Sequence, residues 1–422
     1  MTDAAEGSVF LEGAAALGAR LCRDAVWDGA RCNWMGDAQD QVGGVLAVVH
    51  RAMGPVLYDG TAGIGLFLAR LYAATGERPF RTAARGALRQ AADARDRVPP
   101  EFRIALYSGW TGLAWAMAHA GEAMGDAEWT ERAAGMAGEL AGTPPHPAAV
   151  DVISGSAGAI PALLELAGRL ERPELADAAA RHGDFLLARA RRGAHGWSWH
   201  TLDSPTRADL TGYSHGAAGI ALALLELAHA TGEARFREGA EEGFRYEAAC
   251  FAPEAGNWPD FRLWGDPAEA GPPSHGLAWC HGAPGIGLSR VRAFALTGDE
   301  TRRREAEAAL ATTVRGLDAS AAGGGMGLSL CHGDLGNAEL PLEAARVLGW
   351  AEGHARAASV ARAAIARYGV TGEPWPCGIP NGGETPGLLL GLAGIGYFLL
   401  RLHDPAIPSV LLVAPAAPAP SS

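Results

Sequence analysis

One short glycine pattern recurs seven times along the chain, and no other feature restricts the fold as much. It reads YDGTAGIG (58–65), YSGWTGLA (107–114), ISGSAGAI (153–160), SHGAAGIA (214–221), CHGAPGIG (280–287), CHGDLGNA (331–338) and LLGLAGIG (389–396). Each copy runs into an apolar segment such as Ile220–Ala230, IALALLELAHA, which has the length and propensity of a buried helix. The glycine pair therefore marks a helix start. Thr-Gly-Glu or Thr-Gly-Asp at Thr75, Thr231 and Thr297 closes three of these helices, the glycine supplying a left-handed cap. A more charged second helix follows, as in Ala234–Tyr246. An apolar helix followed by an amphipathic one, repeated seven times, predicts an all-α fold: an α/α toroid with seven inner helices wrapped by seven outer ones. No Pro/Ser-rich linker interrupts the repeats, so residues 1–413 read as one domain and 414–422 as a disordered tail. The motif glycines are expected to permit positive φ and close backbone approach where seven segments converge.

Composition narrows the partners. The 422 residues carry a net charge of −12 with no long basic run, which argues against nucleic acid or an anionic membrane. The start, MTDAAEGSV, has neither the basic nor the apolar region of a secretory signal. The apolar stretch Gly387–Leu402 is broken by Gly391, Gly394, Gly396 and Arg401. A cytoplasmic protein is expected. Six cysteines, at 22, 32, 250, 280, 331 and 377, are too scattered for a disulfide framework.

The residues in front of the first motif glycine carry the chemistry. Immediately before it stand Asp59, Ser108, Ser154, His215, His281, His332 and Leu390; one position earlier stand Tyr58, Tyr107, Ile153, Ser214, Cys280, Cys331 and Leu389. Two cysteines and three histidines thus occupy equivalent places in three consecutive repeats. If the repeats are equivalent in space, these side chains meet at one mouth of the barrel, a donor set suited to Zn²⁺ with a coordination position left for substrate. Cys22, Cys32, Cys250 and Cys377 lack histidine neighbours and read as ordinary cysteines. His50, His119, His182, His229, His354 and His403 lie in helical or loop context and read as solvated or core-satisfied.

GYSHGAAGI (212–220), AWCHGAPGIG (278–287) and LCHGDLGN (330–337), carried on the sevenfold repeat, resemble the lanthionine synthetase C-like cyclases over nearly the whole chain. Asn257-Trp-Pro-Asp-Phe-Arg262 and the histidine after Cys280 are most similar to the cyclase region of the bifunctional class II synthetases. The resemblance implies a toroid with zinc bound by Cys280, Cys331 and His332. It further implies His215 as the acid/base, Asp151 at the active site, and His281 and Asn337 in contact with substrate or supporting the ligands. Class I members carry an arginine where this chain has Gly276, so that role is filled otherwise or missing. Only about fifty residues precede the first motif, so a separate dehydratase is expected to prepare the peptide.

The reaction that the resemblance implies adds a peptide cysteine thiol across dehydroalanine or dehydrobutyrine, forming a thioether ring. A free thiol has a pKa of about 8.5, and zinc coordination deprotonates it. The enolate then needs a proton at Cα, which suits a histidine such as His215, oriented or charged by Asp151. Rival readings are a glutathione- or thiol-binding relative without ring closure and a zinc protein prenyltransferase. Last comes a carbohydrate-active barrel, which would need paired carboxylates where the column offers only Asp59.

Overall fold

The computed structural model describes residues 3–42, 45–263, 271–324 and 327–415. In chain order its helices are α1 (Asp3–Asp24), α2 (Thr61–Thr75), α3 (Arg78–Asp93), α4 (Trp110–Met124), α5 (Ala127–Gly135), α6 (Ala137–Gly142), α7 (Ser156–Arg169), α8 (Glu174–Arg189), α9 (Ala217–Thr231), α10 (Ala234–Cys250), α11 (Ala283–Thr297), α12 (Glu300–Ala319), α13 (Asp334–Leu348), α14 (Gly353–Ala364) and α15 (Leu392–His403). Three short antiparallel hairpins, not foreseen from sequence, join them: β1 (Val26–Asp28) with β2 (Arg31–Asn33), β3 (Met35–Val42) with β4 (Val45–Ala52), and β5 (Arg191–Gly193) with β6 (Gly196–Ser198).

Helices α2, α4, α7, α9, α11, α13 and α15 each begin one residue after the first motif glycine and form the inner ring. Their apolar character reflects burial on every side: in α9, Ala217 through Ala228 are all buried. Helices α3, α5, α8, α10, α12 and α14 each pack outside the inner helix that precedes them, and the short α6 packs on α8. Among the described residues no outer helix follows the seventh inner helix. The N-terminal α1 lies against α15 instead, and α15 packs on α2, so the two ends of the chain close the ring. Gly76, Gly232 and Gly298 end their helices at φ 72°, 74° and 69°, as the Thr-Gly pattern predicts.

The motif glycines serve close approach far more than positive φ. A Cβ on Gly63, Gly112, Gly158, Gly219, Gly285, Gly336 or Gly394 would lie 1.7–2.3 Å from the carbonyl oxygen six residues earlier. No side chain fits there. The first glycine of six motifs has an ordinary negative φ, and only Gly282 is positive, at 98°.

The segment after α15 lies between repeats instead of running free. The Tyr397 hydroxyl donates to Pro408 O (2.9 Å), the Tyr107 hydroxyl to Val410 O (2.8 Å) and the Trp279 indole to Leu411 O (3.0 Å), burying Val410 through Val413. Of the tail expected to be disordered, Ala414 and Pro415 are placed, with Arg292 donating to Pro415 O at 3.1 Å; 416–422 lie outside the described residues. Among the described residues no helix is long and apolar enough to cross a membrane.

Candidate active site

A ring of hydrogen bonds explains why residues so far apart in sequence meet. Ser214 N donates to Cys280 O (3.2 Å), Cys280 N to Cys331 O (3.2 Å), Cys331 N to Leu389 O (2.9 Å), Leu389 N to Tyr58 O (2.7 Å) and Tyr58 N to Tyr107 O (2.9 Å). The Ser108 hydroxyl donates to Ile153 O (3.1 Å) and Val152 N to Ser214 O (3.0 Å), completing the circuit. Equivalent positions of all seven motifs are thereby stitched together at one end of the inner ring, and the side chains borne there share one space.

The structure brings Cys280, Cys331 and His332 together, with one ligand atom from each within 4.8 Å of the others. Tetrahedral zinc at Zn–S of about 2.3 Å places its donors roughly 3.5–4 Å apart, so this cluster needs little contraction to hold such an ion. His332 Nε2 lies 2.8 Å from Gly378 O, which takes its proton and leaves Nδ1 for the thiols. A carbonyl on the far nitrogen is the usual support of a metal-binding imidazole. The Cys331 thiol, donating to its neighbour, holds Cys280 well below the ordinary thiol range against the opposing effect of burial. Cys331, as the donor, is raised correspondingly. Tyr58, two motifs further round the ring in the same column, adds a hydroxyl directed at Cys331.

His215 stands beside this cluster. Its Nδ1 is 2.5 Å from Asp151 Oδ2, and Asp151 is itself fixed by Ser154 N donating to Oδ1 at 2.7 Å. Burial alone would depress His215, but the charge and hydrogen bond of Asp151 outweigh it and raise the imidazole above its usual value. His281 packs against it with ring centroids 5.7 Å apart. Burial pushes His281 down to about 4, and its Nε2 has no hydrogen-bond partner among the described residues. Asn337 is held differently from these side chains: its Nδ2 donates to Leu277 O at 3.0 Å, and its buried Oδ1 lacks a partner among the described residues.

Two further groups were not singled out from sequence. The Arg262 guanidinium, paired with Asp260 at 2.6 Å, faces His215, His281 and Cys331 closely enough to weigh on their protonation. Glu247, fully buried on α10, accepts from Gly212 N (3.0 Å) and Ala218 N (2.8 Å), the two ends of the turn that carries His215. Burial pushes its carboxyl up to about 7. Arg262 ends the Asn257–Arg262 segment that carries the resemblance, but nothing in the sequence marks its place at the site, and Glu247 has no sequence signal, because each comes from outside the glycine motif it serves. Cys22, Cys32, Cys250 and Cys377 stay apart from the cluster, and all six thiols are free of disulfides.

A ring of paired helices with two thiols and an imidazole at one mouth defines a helical-toroid protein suited to binding a soft metal ion. The sequence pattern of the family described as "Lanthionine synthetase C-like protein" matches residues 51–412, and the chain belongs to that family. Among solved structures, nisin cyclase is similar over 83% of this chain and 89% of its own, with TM-score 0.61 and 17% identity. An α-mannanase of glycoside hydrolase family 76 from Bacteroides thetaiotaomicron is similar over 95% and 98%, with TM-score 0.52 and 11% identity. At these identities the likeness shows a shared toroidal fold.

Proposed function

We propose that this protein is a zinc-dependent lanthipeptide cyclase, closing (methyl)lanthionine rings by adding peptide cysteine thiolates to dehydroalanine or dehydrobutyrine. Family membership supports cyclase chemistry. The observation that carries the finer reading is the convergence of Cys280, Cys331 and His332 beside a hydrogen-bonded His215–Asp151 pair. A zinc ion held by the three side chains supplies the charge that turns a substrate thiol into a thiolate at neutral pH.

The chain's own residues do the rest. The sulfur attacks Cβ of the dehydro residue, and the electron pair of its double bond moves to Cα and the adjoining carbonyl. His215, with Nδ1 bound to Asp151, carries a proton on Nε2 that it delivers to Cα. His281, buried and with Nε2 unpartnered among the described residues, contacts the peptide. Asn337 steadies the Cys280 loop through Leu277 O. The substrate is a dehydrated precursor peptide, leader plus core.

The test is metal content and ring closure on a dehydrated peptide. Wild type should hold one zinc and close rings, while Cys331→Ala should lose both. Retention of stoichiometric zinc by Cys331→Ala would overturn the ligand assignment. Glutathione adducts formed without any ring closure would favour the thiol-binding alternative instead.

A further inference from the structure

Six of the seven motif loops are closed in one way. The first amide of the inner helix donates to the carbonyl seven residues earlier: Thr61 to Gly54 (2.8 Å), Trp110 to Arg103 (2.7 Å), Ser156 to Ala149 (3.0 Å), Ala217 to Leu210 (3.0 Å), Asp334 to Gly327 (2.9 Å) and Leu392 to Thr385 (2.9 Å). In the fifth loop the corresponding pair would be Ala283 N and Gly276 O. There the side chain of Asn257 stands between them: Ala283 N donates to its Oδ1 at 2.9 Å, and its Nδ2 donates to Gly276 O at 2.9 Å. The amide relays the bond that elsewhere is direct. Oδ1 also accepts from Trp258 N at 2.8 Å, so the side chain, 4% exposed, is locked at three points.

An inserted amide widens the loop, and the backbone shows it. Gly282 alone among the seven first glycines takes a positive φ, Leu277 pairs with Gly282, and Ala278 N donates to His281 O at 3.0 Å. The residues between these contacts are Trp279, Cys280 and His281. Gly276 leaves room for the arrangement, since a Cβ there would already lie 3.0 Å from His281 O.

We propose that Asn257 is a positioning residue: by relaying Gly276 O to Ala283 N it holds the one motif loop that differs from the other six, and so sets Cys280 and His281 relative to Cys331 and His332. The inference rests on the metal reading above. It also explains how a chain with glycine at position 276 organises this loop. The anchor comes from a segment well ahead of the loop and fixes its backbone from within.

The experiment titrates the metal-stripped protein with Co²⁺, reading the thiolate-to-cobalt charge-transfer and d–d bands, alongside amide exchange of the 276–283 segment. Asn257→Ala should bind Co²⁺ 10–100-fold more weakly, the usual cost of removing a group that supports a ligand, and exchange should speed up at Ala283. Asn257→Asp keeps the acceptor and loses the donor to Gly276 O, so it should fall between, and it decides the matter if Asn257→Ala does not fold. Asn33→Ala is the control. Asn33 makes similar bonds in another hairpin, to Trp34 N (2.7 Å) and Met53 O (3.1 Å), and its loss should lower stability while leaving Co²⁺ affinity unchanged. Wild-type affinity, spectrum and exchange in the Asn257 variants would overturn the proposal. If wild type itself binds no Co²⁺, the metal reading fails; the exchange data then decide the loop's dependence on Asn257, and unchanged protection at Ala283 overturns it.

Discussion

Gly336→Ala tests whether the motif glycine sets ligand geometry or only packs helices. A Cβ at 336 would lie 1.8 Å from Leu330 O, where contacts under 3.0 Å are not tolerated, so the loop and α13 must separate by more than 1 Å. That loop carries Cys331 and His332. Overpacking of this kind costs about 1–3 kcal/mol. Metal geometry is far less forgiving, holding to roughly 0.2 Å, and a displacement several times larger should weaken binding at least about tenfold. Gly112→Ala is the matched comparison: its Cβ would lie 1.7 Å from Leu106 O, the same clash in a repeat without ligands. Chemical denaturation and competitive zinc titration should show both variants losing similar stability and only Gly336→Ala losing affinity. Wild-type affinity in a destabilised Gly336→Ala would refute the link between glycine contact and ligand placement. Equal losses of affinity in both variants would show that the effect is global.

The remaining tests address the proposed acid/base pair and the buried charges. Because Asp151 raises His215, the protonated imidazole persists to higher pH than that of an ordinary histidine and is lost as pH rises through its elevated pKa, so cyclisation should fall on the alkaline side. Asp151→Asn should move that limb to lower pH and cut kcat by about 10²–10⁴ with zinc retained; an unmoved limb excludes the pairing. Glu165 opposes burial through a hydrogen bond from His119 and sits at about 2 in the fold against 4.5 free. Its contribution is therefore complete above pH 4.5 and lost as pH falls toward 2. Denaturation should show wild type losing about 2 kcal/mol more than Glu165→Gln between pH 6 and pH 3. Arg401, buried, pairs with Glu339 and with Glu343 (2.8 Å) and donates to Ile407 O (3.1 Å). Arg401→Met leaves the buried Glu339 without its cationic partner, while Glu343 keeps Arg346 (2.7 Å), and should cost about 3–5 kcal/mol in thermal or chemical unfolding; a change under about 1 kcal/mol would contradict the paired state.

What could be read from sequence was what the repeat writes into every copy. The inner helices start where the glycines say, because a carbonyl crowds each second glycine in the same way. Cys280, Cys331 and His332 share a column because a ring of hydrogen bonds, all but the Ser108 link made by the backbone, joins the seven motifs. The departures from the repeat were not legible. The outer partner of α15 is α1, drawn from the other end of the chain, and local order in sequence says nothing about ring closure. The C-terminal carbonyls are satisfied one by one by Tyr397, Tyr107 and Trp279, three side chains that share no sequence pattern.

The site itself depends on such departures. A strict sevenfold ring would present seven equivalent loops and could not hold one asymmetric cluster of two thiols, three imidazoles and a carboxylate. Symmetry is broken first by residue identity in the column and then by groups that reach in from outside the motifs. Glu247 on α10 ties the two ends of the His215 turn, and Asn257 opens the Cys280 loop from within. These two loops therefore answer to side chains beyond the inner ring, whereas the Cys331 loop closes on its own backbone through Asp334 N and Gly327 O. Substitutions at Glu247 and Asn257 should accordingly shift His215 and Cys280 separately, while the hydrogen-bonded ring that joins the seven repeats stays closed.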